Sequence, residues 1–171
     1  MDVDTRSQSG GSEDGTGVNL QYSGEEKIAV GPGVVWAFVT DPGKVGRCMP
    51  EVKEVAVQDQ THVDAVVQVA VGPVRGKFKL KVELLPDASG RRIDMKISGG
   101  GFGSAVDMTA GADVVDAGDG TTLLKWSGQA IARGPVAAVG GRVLDAQAKK
   151  LIEQAFANVR RELSAPMVDR A

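Results

Sequence analysis

Few side chains in this sequence could do acid–base, nucleophilic or metal chemistry. There is one histidine, His62, and one cysteine, Cys48. His62 opens an alternating run beside Gln60-Thr61, on the parity of Asp64 and Gln68. That position reads as a surface histidine. Cys48 has no base near it in sequence, so it reads as a small buried hydrophobe rather than a nucleophile. Asp107 and Asp113 fall on the polar side of a strand without a second carboxylate at a useful spacing. No catalytic residue is assigned. A single cysteine and a single histidine exclude a disulfide framework, a cysteine-cluster zinc site and a multi-histidine metal site, so no metal or covalent cofactor is expected. The cluster Gly99-Gly100-Gly101-Phe102-Gly103 fits neither GxGxxG nor GxxxxGK[ST], and no long helix follows it. It reads as a flexible hairpin turn.

Charge offers one pattern. Arg75, Lys77, Lys79 and Lys81 are four cations on alternate residues, hence on one face of a strand. They suit either a solvated face that resists aggregation or a docking surface for an acidic protein or an anionic lipid. The net charge of −2 and pI near 5.5 lack the footprint of a general nucleic-acid binder.

The elements that must position these groups follow from periodicity. Residues 1–17 are rich in Ser, Gly and Asp and are expected as a disordered leader. One domain over residues 18–165 and a short tail at 166–171 complete the 171 residues. Asn19–Val30 reads as a first strand. A short helix over Val34–Val39 ends at Asp41-Pro42, and a second covers Gly43–Cys48. His62–Val71, Val74–Leu84, Ile93–Ile97, Val106–Val114 and Leu123–Ala132 alternate apolar and polar residues, as strands with one dry face do. Their short turns predict an antiparallel meander. From Pro135 to about Leu163 the apolar spacing turns helical, predicting one helix of roughly 28 residues and about 42 Å.

Aromatics are only 4% of the chain, against many Val, Ala and Gly. A curved sheet under one long helix encloses more volume than such small side chains fill, which leaves room for an apolar pocket. Met49, Met95 and Met108 would give it adaptable lining. No apolar run is long enough to span a bilayer, and the start lacks a signal peptide's pattern. The expectation is a soluble, cytoplasmic chain with at most peripheral contact at the inner membrane face.

This order of elements is that of the helix-grip fold: α+β, with a curved antiparallel sheet of about seven strands around a long C-terminal helix and two short helices after the first strand. Local segments sharpen the likeness. Trp36, Asp41-Pro42 and Cys48-Met49-Pro50 resemble the entrance region of the carbon monoxide dehydrogenase CoxG family, within the START-like superfamily. Val71-Gly72-Pro73-Val74 with Phe78 resembles its VGP hairpin, and Gly103-Ser104-Ala105 its small-residue strand start. Gly134 to Leu144 resembles its last turn and glycine-containing helix start. The likeness covers roughly residues 19–164. Two departures stand out: Glu51 occupies a position where the family commonly has glycine, and the sequence stops at Ala171 without the linker and membrane-binding tail of some members.

The resemblance implies a domain that holds an apolar small molecule, a quinone, for a molybdenum-containing dehydrogenase. The expected ligand set is Trp36, Met49, Val67, Val69, Phe78, Leu80, Met95, Ile97, Met108, Ala110, Trp126 and Val143, and the charge pattern of Arg75, Lys77, Lys79 and Lys81 makes them the candidate partner-binding residues. Two other readings remain open on the sequence: a polyketide-cyclase-like or hydrolase-like enzyme of the same fold, and an assembly factor without a ligand.

Overall fold

The computed structural model describes residues 2–5 and 17–164. Eight strands form one antiparallel sheet among them: β1 (Asp2–Thr5), β2 (Gly17–Ile28), β3 (Val52–Val57), β4 (His62–Val71), β5 (Val74–Asp87), β6 (Arg92–Gly101), β7 (Ser104–Asp116) and β8 (Thr122–Arg133). Their spatial order is β1-β2-β8-β7-β6-β5-β4-β3. Helices α1 (Pro32–Val39) and α2 (Pro42–Arg47) follow β2, and α3 (Pro135–Ala138) and α4 (Gly141–Ser164) follow β8. Seven strands, two short helices and a long last helix are the helix-grip arrangement expected from the sequence. The eighth strand is an addition.

That strand, β1, lies inside the segment expected to be a disordered leader. Its four residues pair with Tyr22–Glu25 on the edge of β2, which corrects the expectation for Asp2–Thr5. Gly17, the last residue of the expected leader, opens β2, while residues 1 and 6–16 and the tail lie outside the described residues. β3 was also not legible, because a bulge between Val52 and Glu54 shifts its register against β4. A bulge breaks the period of two on which strand recognition rests.

The sheet is strongly curved, since α4 packs against both β2 and β4, five places apart in the sheet order. Glycine permits part of that bend. Gly99–Gly101 belong to β6 and not to a hairpin turn, contrary to expectation. A side chain on Gly100 would put its Cβ 2.0 Å from the Ser104 carbonyl oxygen. The cluster therefore exists for close backbone approach between strands, and the turn itself is only Phe102-Gly103.

The final helix is also divided. Gly140 takes φ +98° and separates α3 from α4, so the single 28-residue helix becomes a turn of four residues and a helix of 24. α3 is seated by Val136 N–H, which donates to the buried Ser104 Oγ at 2.9 Å. α4 is fixed along its length by three polar ties. Tyr22 Oη donates to Asp145 Oδ1 at 2.5 Å, Asn158 Nδ2 donates to the Cys48 carbonyl at 3.0 Å, and Arg160 pairs with Glu26. Burial and the Asp145 carboxylate hold the Tyr22 phenol well above its ordinary pKa, so it stays a donor.

The inner face carries three apolar clusters. One joins Leu20, Tyr22, Val67, Val71, Val74, Phe78, Leu80, Ala132, Val136 and Leu144. A second gathers Ile28, Val35, Phe38, Cys48, Val114, Leu124 and Leu163 near the C-terminal end of α4. The third, Val63, Val82, Leu84 and Ile93, lies beneath α1 and α2.

Candidate functional site

Apolar packing is incomplete at one end of the inner face. There the sheet and α4 enclose a cavity of about 470 Å³. The sheet wall is mostly apolar: Leu20 from β2, Val67, Val69 and Val71 from β4, Phe78 and Leu80 from β5, Val106 and Met108 from β7, and Ala130 and Ala132 from β8. α3 adds Val136, and α4 adds Leu144, Ala148 and Leu151. Register explains the space. Met108 stands opposite Ala130, and Val106 opposite Ala132, so pairs of modest side chains face a helix that cannot descend to meet them. The α2–β3 loop closes one rim with Pro50 and Glu51.

Five residues of the expected ligand set are brought together in this wall: Val67, Val69, Phe78, Leu80 and Met108. The others sit elsewhere. Trp36 packs between the second and third clusters. Met49 and Ile97 bridge the first and third, and Met95 belongs to the third. Met95 and Ala110 border a separate, polar hollow with Gln21, Arg92 and Thr109. Trp126 packs against Phe156, with ring centroids 5.4 Å apart and the planes tilted by 44°. Val143 is 46% exposed, and its neighbour Leu144 faces inward instead. Among cavity residues the sequence reading missed, Ala130 and Ala132 could have been found from the inward parity of β8. Leu144, Leu151 and Gln154 share the heptad-like face of α4. Where the helix broke at Gly140 set which face turned inward, and that was not legible.

Glu51 has φ +59°, a left-handed conformation that glycine adopts without steric cost. The loop thus keeps the backbone that glycine would favour while carrying a glutamate. Its carbonyl accepts from Gln68 N–H at 2.9 Å, which pins the rim to β4. Glu51→Gly should raise the stability by about 0.5–1 kcal/mol, as relief of the left-handed strain outweighs the added chain entropy. Urea unfolding reads this. A loss of stability would mean that the glutamate side chain itself holds the rim.

His62, Cys48, Asp107 and Asp113 lie outside the cavity. His62 is exposed, with Nδ1 2.9 Å from Asp59 and Nε2 3.5 Å from Glu83. The Asp59 hydrogen bond holds its pKa above the ordinary value. Cys48 is buried, and burial first, with Glu162 adding, pushes its thiol up to about 11, which makes it a poor nucleophile. Asp107 is paired with Arg133 at 3.1 Å, and Asp113 with Arg92 at 3.2 Å. Among the described residues no cluster of three or more His, Cys, Asp or Glu could hold a metal, and no helix is long and apolar enough to cross a membrane. The titratable groups lining the cavity are Glu51 and Lys150, both exposed.

Arg75, Lys77, Lys79 and Lys81 project from the outer face of β5, all exposed. No ion pair involves them among the described residues.

A curved antiparallel sheet gripping a long C-terminal helix over an apolar cavity defines a START-like domain. Solved structures agree on the fold. A conserved protein from Geobacillus kaustophilus matches with TM-score 0.76 and 24% identity, over 85% of this chain and 95% of that one. A START superfamily protein from Mycobacterium smegmatis matches with TM-score 0.66 and 14% identity, over 84% and 96%. The Zhui aromatase/cyclase from Streptomyces sp. R1128 matches with TM-score 0.56 and 13% identity, over 86% and 91%. A search of curated protein sequences finds no match. The model of the carbon monoxide dehydrogenase CoxG family matches residues 24–164, and the chain belongs to that family.

Proposed function

We propose that this domain binds and carries an apolar small molecule, a quinone, in the cavity between the sheet and α4, in the service of a molybdenum-containing dehydrogenase of the carbon monoxide dehydrogenase type. The observation that carries this reading is the cavity: about 470 Å³, with a sheet wall dominated by aliphatic side chains, Phe78 and Met108. Binding pockets for small molecules are typically about 300–1,000 Å³ and mostly apolar. Family membership supports service to a dehydrogenase. Carriage is favoured over catalysis because His62 and Cys48 stand away from the cavity and the titratable groups that line it, Glu51 and Lys150, are exposed. Calorimetric titration with a short-chain ubiquinone analogue should give saturable one-to-one binding. Absence of heat and of competition at solubility-limited concentrations would count against it.

The outer stripe of β5 is then the surface that meets the partner. Four such cations on a protein of net charge −2 add little to stability but raise encounter rates with an acidic surface. Changing Lys77, Lys79 and Lys81 together to Gln should leave the melting temperature within about 2 °C, a shift expected of surface changes below ~0.5 kcal/mol. It should slow association with the dehydrogenase several-fold at low salt, and added salt should erase the difference. Rates indifferent to both the substitutions and salt would leave the stripe as a solvated face.

A further inference from the structure

The helix side of the cavity is more polar than the sheet side. Across from the apolar wall, α4 contributes Gln147, Lys150 and Gln154 around Leu151. Positions i, i+3, i+4 and i+7 share one helix face, so these four form a continuous strip. Gln147 and Gln154 are separated by about 10 Å along the axis. Both are half-buried, and no hydrogen bond engages either amide among the described residues. Asp145 and Lys149, one turn away on another face of the same helix, pair with each other at 3.1 Å. Asn158 spends its amide on the Cys48 carbonyl. The two glutamines are therefore the amides of α4 left to face the cavity.

We infer that Gln147 and Gln154 are the specificity-determining residues of the cavity, and that they select an apolar molecule bearing uncharged carbonyl oxygens along one edge. This rests on the reading of the cavity as a ligand site. The direction of the hydrogen bonds follows from the donor inventory. Each amide offers two N–H donors and one acceptor, and an ammonium offers donors only, so the strip supplies more donors than acceptors. Gln68, on the sheet side, has its own amide N–H engaged with the Gly76 carbonyl at 3.2 Å. A flat ring laid in the cavity would touch aliphatic carbon on the sheet side and amide donors at its helix-side edge. A hydrocarbon of the same shape would leave those amides without partners, and desolvated unpaired groups are what discriminate against it.

The experiment uses three probes of one shape on the full chain: 2-methyl-1,4-naphthoquinone, 2-methylnaphthalene and 2-naphthoate. The native protein should bind the quinone at least tenfold more tightly than the hydrocarbon. Gln147→Leu combined with Gln154→Leu should weaken the quinone about tenfold and leave the hydrocarbon equal or tighter, bringing the ratio close to one. Gln147→Glu, which replaces donors with an acceptor at similar size, should weaken the quinone as well. A quinone-to-hydrocarbon ratio unchanged in the double variant overturns the inference while leaving the cavity reading intact. A preference for naphthoate that Lys150→Gln abolishes overturns it too, since the ligand would then be an anion read by the lysine. If neither neutral probe binds the native protein, the cavity reading fails and this inference with it.

Discussion

Arg160→Ala should be among the most destabilising single changes outside the apolar core, costing about 3 kcal/mol. Glu26 is only 1% exposed, and the Arg160 guanidinium is its ion-pair partner across the gap between β2 and α4. Arg160 also reaches the Lys27 carbonyl through Nε and Nη2, each at 3.4 Å. Truncation would leave a buried carboxylate alone, and its Oε2 already lacks a protein partner. Breaking one side of a buried pair typically costs about 3–5 kcal/mol. The low end applies because Arg160 is itself 39% exposed, and water can enter where it leaves. For a domain of this size that corresponds to a melting temperature lower by about 6–12 °C. The cause is separable from lost packing: Glu26→Leu combined with Arg160→Leu should recover most of the stability, because a well-packed apolar pair often replaces a buried ion pair without loss. A drop below about 1 kcal/mol for Arg160→Ala, or no recovery in the double variant, would show that the pair does not anchor α4.

Filling the cavity should have the opposite effect on stability and a large effect on binding. Ala130→Phe and Val67→Phe each place a ring in space that the native side chains leave empty. In a close-packed core such enlargement costs about 1–3 kcal/mol. Here it should be neutral or stabilising, as cavity filling commonly is. The same variants should bind a quinone analogue at least 30-fold more weakly, a loss of about 2 kcal/mol. Thermal melting and calorimetry on the same preparations read both outcomes. Variants that are destabilised and still bind normally would locate the ligand elsewhere.

Much of the fold was legible because it rests on periods of two and 3.6. β4 begins and ends at the residues its alternation predicts, His62 and Val71, and α1 ends at the expected Val39 but starts two residues before Val34, at Pro32, where a missing N–H is harmless. The elements that escaped break those periods. The bulge in β3 flips its parity after Val52, β1 is four residues held by backbone pairing, and Gly99–Gly101 resemble a turn while serving as a tightly approached strand. The site was legible by halves. Strand parity places Val67, Val69, Phe78, Leu80 and Met108 on the inner face, and they do line the cavity. Parity cannot say how far along the sheet the helix stays clear, and Met95 and Ala110, though they share the inward parity, border a hollow lined mostly by outer-face residues such as Gln21, Lys96 and Thr109. Nor could a helical pattern drawn through Gly140 separate Val143 from Leu144. The helix side of the cavity, with Gln147 and Gln154, depends on how α4 is rotated. That rotation is set by Tyr22–Asp145, Asn158–Cys48 and Arg160–Glu26, three long-range contacts with no local signature.

The most direct test of the central claim is native mass spectrometry of freshly purified full-length protein, with organic extraction of the same sample. A carrier of an apolar molecule should show a species heavier than the bare chain, and the extract should contain a compound of that mass difference with a quinone's absorbance. The Ala130→Phe variant should show the bare chain alone. A native protein that flies only as the bare chain, yields no apolar compound on extraction and takes up no added quinone would contradict the account.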